Sequence, residues 1–422
     1  MIRLRVWANV RPLGWFGHAN TEFFFEYDKE WLSLEGGYVL APQFPLSEQR
    51  YVGNLVRSFF ENLLPEGDSL EDILAAINLR TANSLEILAK LGKDLPGVLS
   101  ILAPDEEANN SQTYAELPYE ELSRRLAARS DVPFLISNQQ TTMSLAGAQD
   151  KLGIRLDEKS GKLYDSVGRS LSTHIAKPDT RQAKYRPSVI NEYACMKLAK
   201  ELKLPVPEVW LLTVPEPVYV VKRYDRKIVD GNIVPLHQID GCQLLGHGAG
   251  WKYERQGALV SLPKLVQALR DLPVKGQDLL NFQRWVMFNF LIGNADAHAK
   301  NISILISDKG YKVADFYDLL CVRAYGDDSL ALYIGDQETF DSVGAHSWKE
   351  MCEDCGFSSA PTLKELRAMA NALMPAWTKV LKNINKQHPD LLANDHQLLE
   401  KMTSVFERHT QAAISMTEVG RR

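Results

Sequence analysis

The sequence predicts an α/β (α+β) protein with two lobes, one β-rich and one largely helical, preceded by an N-terminal sheet-and-helix subdomain. Three observations carry this: N-terminal alternation that gives way to helical spacing, a strand-rich middle, and a remainder after about residue 260 that is helical almost throughout. With 422 residues and 45% apolar side chains, the chain has material for more than one core.

Ile2, Leu4 and Val6, then Phe23 to Tyr27, alternate with polar residues and predict paired strands, with Gly14 and Gly17 between them. Val52, Leu55, Val56, Phe59, Phe60 and Leu63 recur at helical spacing, and Pro65 and Gly67 stop that helix. Leu70, Ile73, Leu74 and Ile77 predict a second helix behind an Asp68/Ser69 cap, and a third runs from about Leu85 to Leu91. The acidic, aperiodic stretch 103–112 predicts a linker. The expected division is therefore a subdomain over 1–105, a linker and helix over 106–133, a β-rich lobe over 134–260 and a helical lobe over 261–422. Strands are expected at 152–156, 172–177, 209–214 and 218–222, with a turn at 158–161 and a helix at 189–202. The tail from Leu363 to about Met416 reads as amphipathic helices broken at Pro375 and Pro389.

A net charge of −5 over 422 residues sets up no global field for nucleic acid or anionic membrane. Cys195, Cys242, Cys321, Cys352 and Cys355 are scattered and odd in number, which suits reduced thiols. Cys352 and Cys355 have knuckle spacing without a second Cys/His pair, so zinc would lack ligands. The N-terminus alternates like a strand instead of showing a signal peptide, and no apolar run approaches the roughly 18 residues a span needs. A cytoplasmic protein is expected.

Phosphoryl transfer needs metal ions on the terminal phosphates, a cation beside them, and a carboxylate that orients the attacking hydroxyl. In protein kinases the catalytic Asp and a metal-binding Asn are separated by four intervening residues, and a second metal-binding Asp follows a short hairpin. Asp296 and Asn301 have that separation. Asn301 to Ser307 reads as one strand, Asp308 to Gly310 as its turn, Tyr311 to Phe316 as the other strand, and Asp318 lies just beyond. A helix from Leu279 to Ile292, ended by Gly293, would support Asp296. The bland alternative is that Asp296 and Asn301 cap an ordinary turn. His298 takes a supporting role, Lys300 positions phosphate or is solvated, and Asp315 is either a second carboxylate near the metal or structural.

Upstream, Ala146, Gly147, Ala148, Gln149, Asp150 and Lys151 are small or polar enough for backbone amides to approach phosphate closely. Taken alone they make an ordinary tight turn as readily. Lys177, at a strand end before Pro178, is the candidate phosphate-contacting lysine, and Glu192 could pair with it. Lys222, Arg223 and Tyr224 stand where a hinge would offer backbone groups to adenine. The glycines of 246–250 lack dinucleotide-fingerprint spacing and read as a loop.

Several pieces in joint order resemble the HipA-type serine/threonine kinases of bacterial toxin–antitoxin systems, over essentially the full chain. They are residues 59–67, 144–151, 173–178, 237–243, 293–301 and 316–318. The resemblance implies a protein-kinase-like fold that uses ATP and Mg2+, with Asp296 as catalytic base, Asn301 and Asp318 on magnesium, Lys177 on phosphate and 146–151 as the phosphate loop. It further implies autophosphorylation at Ser144 that expels the loop and inactivates the enzyme. Adding roughly two negative charges beside an anion-binding turn fits that effect. A HipB-like helix-turn-helix antitoxin would be the partner, with DNA contacted mainly through it. An aminoacyl-tRNA synthetase is a family target, whose phosphorylation stops translation and promotes persistence. The chain departs from the pattern at Lys222, where an acidic residue often stands, and at Asp150, where Glu is common, which leaves adenine contacts less defined. Two rivals stay open: a small-molecule kinase of the aminoglycoside-phosphotransferase type, and a catalytically idle corepressor that binds an antitoxin.

Overall fold

The computed structural model describes residues 2–76, 79, 83–108, 112–129, 134, 136–137, 140–141, 149–168 and 170–419. They divide into two compact units. One comprises Met1–Pro178, Leu212–Ala249 and Ile304–Tyr311, the other Asp179–Leu211, Gly250–Ser303 and Lys312–Arg422. The chain thus passes between units after residues 178, 211, 249, 303 and 311.

The first unit begins with an antiparallel sheet in the order Tyr51–Val52, Glu22–Tyr27, Arg11–Ala19, Ile2–Ala8, Leu99–Leu102. One face of it buries Leu4, Val6, Phe16 and Phe25. Helix Asn54–Glu61 lays Phe59 and Phe60 onto that face, with Phe60 stacked 3.9 Å from Phe16. Gly14 and Gly17, expected between strands, lie inside the second one. A Cβ on Gly14 would come within 2.3 Å of the Glu26 carbonyl oxygen, so close strand approach requires glycine there. The next helix, Gly67–Ala76, starts one residue before the expected Asp68/Ser69 cap, which falls in its first turn. Ile77 lies outside the described residues. Helix Ser84–Leu91 has a reciprocal cap between Asn83 and Glu86.

A second sheet runs Val209–Val214, Glu216–Lys222, His174–Pro178, Leu152–Leu156, Leu163–Val167, Thr113–Leu117. Residues 103–112, read as a linker, therefore lie between the last strand of one sheet and the edge strand of the other, with 109–111 outside the described residues. Four buried charges stitch this region. Arg226 donates to Asp94 Oδ1 at 2.7 Å, Arg223 donates to Asp225 Oδ2 at 2.8 Å, and the Gly97 N–H meets Asp225 Oδ2 at 2.7 Å. Burial alone would raise the Asp225 carboxyl, but the guanidiniums of Arg223 and Arg226 hold it well below the usual carboxylate range.

Two of the resemblance motifs also meet in this unit. Asp240 and Gln243 cap helix Gly241–Leu245 reciprocally, and the Gln243 amide donates to the Phe59 carbonyl at 3.0 Å. Asn62 donates to the His247 carbonyl at 2.7 Å. Their visible role is to join helix ends.

The second unit is built on helices Val189–Glu201, Gly276–Ile292, Ser359–Gln387 and Ala393–Val419. The first of these, expected with the β-rich lobe, packs on Ser359–Gln387. Pro375 does not break its helix as expected. It is exposed, and so is Asn371, whose carbonyl loses its partner, so water can take the vacated bond. The break comes at His388 and Pro389. All five cysteines are buried and reduced. Among the described residues, no helix is long and apolar enough to cross a membrane.

Candidate active site

Helix Gly276–Ile292 buries Trp285, Phe288, Phe290 and Ile292, which makes it a stiff support. It ends at Gly293, whose φ of 67° is left-handed and whose added Cβ would sit 2.9 Å from Arg323 Cβ. Both facts require glycine. The Arg323 N–H in turn donates to the Gly293 carbonyl at 2.9 Å.

The next residue is a junction. The buried Asn294 amide donates to Asn289 Oδ1 at 2.8 Å and to the Asp318 carbonyl at 3.4 Å, while its oxygen accepts the Asp296 N–H at 3.1 Å. One side chain therefore ties the main chain of Asp296 to that of Asp318.

Asp296 keeps a partly exposed carboxylate. Oδ1 accepts the Tyr253 hydroxyl at 2.5 Å, and His298 Nε2 stands 4.0 Å from the same oxygen. The Asp296 carbonyl accepts the His298 N–H at 2.8 Å and the Asn301 Nδ2 at 2.8 Å. Asn301 does not open a strand, as expected. It closes the short 3-10 turn Ala299–Asn301, because its amide must fold back onto Asp296, and the strand starts at Ser303. With nitrogen committed to that carbonyl, the oxygen is the end of the Asn301 amide suited to a cation.

The hairpin joins Ser303–Ser307 to Gly310–Val313, and the second strand ends three residues before the expected Phe316. There the Phe316 N–H turns to the Pro205 carbonyl at 2.8 Å. The Tyr317 hydroxyl donates to the Lys300 carbonyl at 2.6 Å and lies 2.8 Å from Ser303 Oγ, anchoring the chain beside Asn301. Asp318 follows with φ of 58°, a left-handed conformation that non-glycine residues adopt at local cost. Lys300 is buried, so it is not a solvated lysine, and Asp315 is half-buried.

Asn301 and Asp318 offer hard oxygen donors, the chemistry magnesium takes. Among the described residues no group of three or more His, Cys, Asp or Glu could hold a metal. Two protein donors suit an ion that arrives with phosphate oxygens and water.

The other candidates belong to the first unit. Lys177 is buried on strand His174–Pro178, with its ammonium 5.7 Å over the Tyr219 ring. Gln149 donates to the Pro178 carbonyl at 3.0 Å, and Asp150 and Lys151 are half-buried. Ser144, Ala146, Gly147 and Ala148 lie outside the described residues. The proposed hinge side chains have other work: Lys222 pairs with Glu158 at 2.7 Å, Arg223 belongs to the buried charge cluster, and the Tyr224 hydroxyl donates to Gln238 at 2.7 Å. The Arg223 N–H also donates to the Thr173 carbonyl at 2.9 Å.

Sequence reasoning missed Asn294, Tyr317 and Tyr253. An Asn two residues before Asp296 was a legible turn signal, whereas Tyr253, 43 residues upstream, carried none.

Residues 4–102 match the HipA N-terminal domain, and residues 143–377 match the HipA-like C-terminal domain. The chain is 31% identical over 404 residues to the Y4mE protein of Sinorhizobium fredii, covering 93% of this chain and 95% of that one. It is 28% identical over 390 residues to the serine/threonine-protein kinase toxin HipA of Shewanella oneidensis, covering 88% and 87%. A structure of the Shewanella oneidensis toxin–antitoxin system HipA, HipB and its operator DNA superposes with a TM-score of 0.83 at 23% identity, covering 99% of each chain. The expected mixed α/β, kinase-like fold is borne out by that likeness. With one family domain matched over more than half its length and a second over its N-terminal sheet, the chain belongs to the HipA family.

Proposed function

We propose that this chain is an ATP- and magnesium-dependent serine/threonine protein kinase acting as the toxin of a toxin–antitoxin pair. The observation that carries the proposal is the Asn294 junction, which couples Asp296 to Asp318 while Asn301 is clipped to Asp296. A turn that needed only capping would not need to hold the main chain of a second aspartate 22 residues onward.

Asp296 orients the substrate hydroxyl and accepts its proton as that oxygen bonds the γ-phosphorus of ATP and the bond from phosphorus to the ADP oxygen breaks, releasing ADP. Asn301 and Asp318 would hold magnesium, which supplies charge neutralisation on the transferred phosphoryl group. Lys177 contacts the phosphates, helped by the loop 146–151 and by Lys300, while His298 supports the catalytic loop. The adenine hinge at Lys222, Arg223 and Tyr224 rests on main-chain groups other than the Arg223 N–H. Ser144 is the autophosphorylation site by resemblance. A HipB-like antitoxin is the partner, supported by the toxin–antitoxin complex of the Shewanella relative, and DNA is met mainly through it. The substrate is a translation component such as an aminoacyl-tRNA synthetase, met in the cytoplasm.

The test is transfer from labelled ATP with Asp296→Asn. A fall of about 10²–10⁴-fold, near 3–5 kcal/mol of barrier, is expected with the melting temperature kept. Transfer at the original rate sinks the assignment. Labelled protein rather than labelled aminoglycoside separates this reading from the small-molecule rival.

A further inference from the structure

The side chain that reaches the Asp296 carboxylate comes from outside the residues so far given a role. Tyr253 lies in a segment held on both sides. Before it, the Lys252 carbonyl accepts the Ala299 N–H of the catalytic loop at 3.1 Å. After it, Glu254 Oε2 accepts the Tyr333 N–H at 2.7 Å. The ring between these anchors is itself gripped. The Arg255 guanidinium lies 4.1 Å from its centroid, the Lys252 ammonium 5.5 Å, and His298 meets it edge-on at 5.1 Å. Its freedom is therefore lost before the hydroxyl meets Asp296, so the hydrogen bond at 2.5 Å is pre-organised instead of bearing its own ordering cost.

A general base must aim one oxygen at the incoming hydroxyl. A carboxylate that is partly exposed can rotate, and a donor fixed on one oxygen stops it. We infer that Tyr253 is a positioning residue for phosphoryl transfer: its hydroxyl holds Oδ1 of Asp296 and leaves Oδ2 to receive the substrate hydroxyl. The inference rests on Asp296 being the base. Tyr253 keeps its proton throughout and forms no covalent bond.

The experiment uses the full chain with dephosphorylated casein as a generic serine/threonine acceptor, measuring kcat and the KM for ATP. Tyr253→Phe removes one oxygen from a half-buried ring. It should lower kcat about tenfold, leaving the ATP KM within about twofold and the melting temperature unchanged, since a tenfold loss is about 1.4 kcal/mol. Glu254→Ala, which frees the loop from Tyr333, should lower kcat in the same direction. An unchanged kcat for Tyr253→Phe overturns the inference. So does a raised kcat, which would make the tyrosine a block on the base, or a kcat loss matched by a risen KM or a fallen melting temperature, which would make its role structural. If Asp296→Asn matches wild type, the Asp296 reading fails instead of this one alone.

Discussion

Removing Asp94 would unbalance four charges that have no water to turn to. Asp94, Arg223, Asp225 and Arg226 are each at most 7% exposed, and two acids face two guanidiniums. Asp94→Ala leaves an excess positive charge in place, with Arg226 losing its 2.7 Å partner and the Ser172 hydroxyl losing its 3.0 Å acceptor. Breaking a buried ion pair from one side costs about 3–5 kcal/mol, and the hydrogen bond lost from the Ser172 hydroxyl adds roughly 1 kcal/mol. Against a typical total of about 5–15 kcal/mol, that is a large share. Urea titration followed by circular dichroism should show the midpoint falling steeply for Asp94→Ala. The paired change Asp94→Leu with Arg226→Met restores neutrality and should recover part of the loss. A midpoint for Asp94→Ala equivalent to a change of less than about 1 kcal/mol would refute the view that this cluster is closed to solvent.

Acid should weaken the fold earlier than carboxylates alone would. Burial pushes His174, His237 and His409 down to about 4, so their neutral forms are favoured in the folded state. The stability they contribute is present above an unfolded value of about 6.5 and is lost as pH falls towards 4, on the order of 3 kcal/mol each. Glu254, raised to about 7 by burial, works in the opposite sense and loses its contribution as pH rises through that value. Urea midpoints at pH 7.5, 6 and 5 should therefore fall, and a flat series contradicts the reading. Asn294→Ala should cost about 2–4 kcal/mol from its orphaned buried partners and lower transfer about 10²-fold through misplaced groups. Melting curves and labelled-ATP assays check both, and full activity in that variant removes the junction from the argument.

What the sequence made legible was periodicity and spacing. Strands 152–156 and 209–214 came out at their observed bounds because each is a short apolar run closed by polar or turn residues, Lys151 and Asp157 in one case and Glu208 and Pro215 in the other, and Gly293 marked the helix end that aims the catalytic loop. Contacts set by tertiary packing were not legible. Asn301 looked like the start of a strand because the pull of the Asp296 carbonyl on its amide is not written in neighbouring residues. Pro375 looked like a break because exposure of the Asn371 carbonyl decides whether the lost bond matters. Arg223 looked like hinge because its carboxylate partner Asp94 comes from 129 residues away. The Ser144 and 146–148 assignments rest on resemblance.

The five passages of the chain between its units bear on how the molecule is made. Neither unit is a continuous stretch of sequence, so no single proteolytic cut or shortened gene yields one of them free of pieces of the other. During synthesis the first unit lacks its last segment until Tyr311 has left the ribosome, and the second waits for its C-terminal helix. Such non-local closure slows folding, and it means that a nascent chain released before Tyr311 carries neither half in finished form.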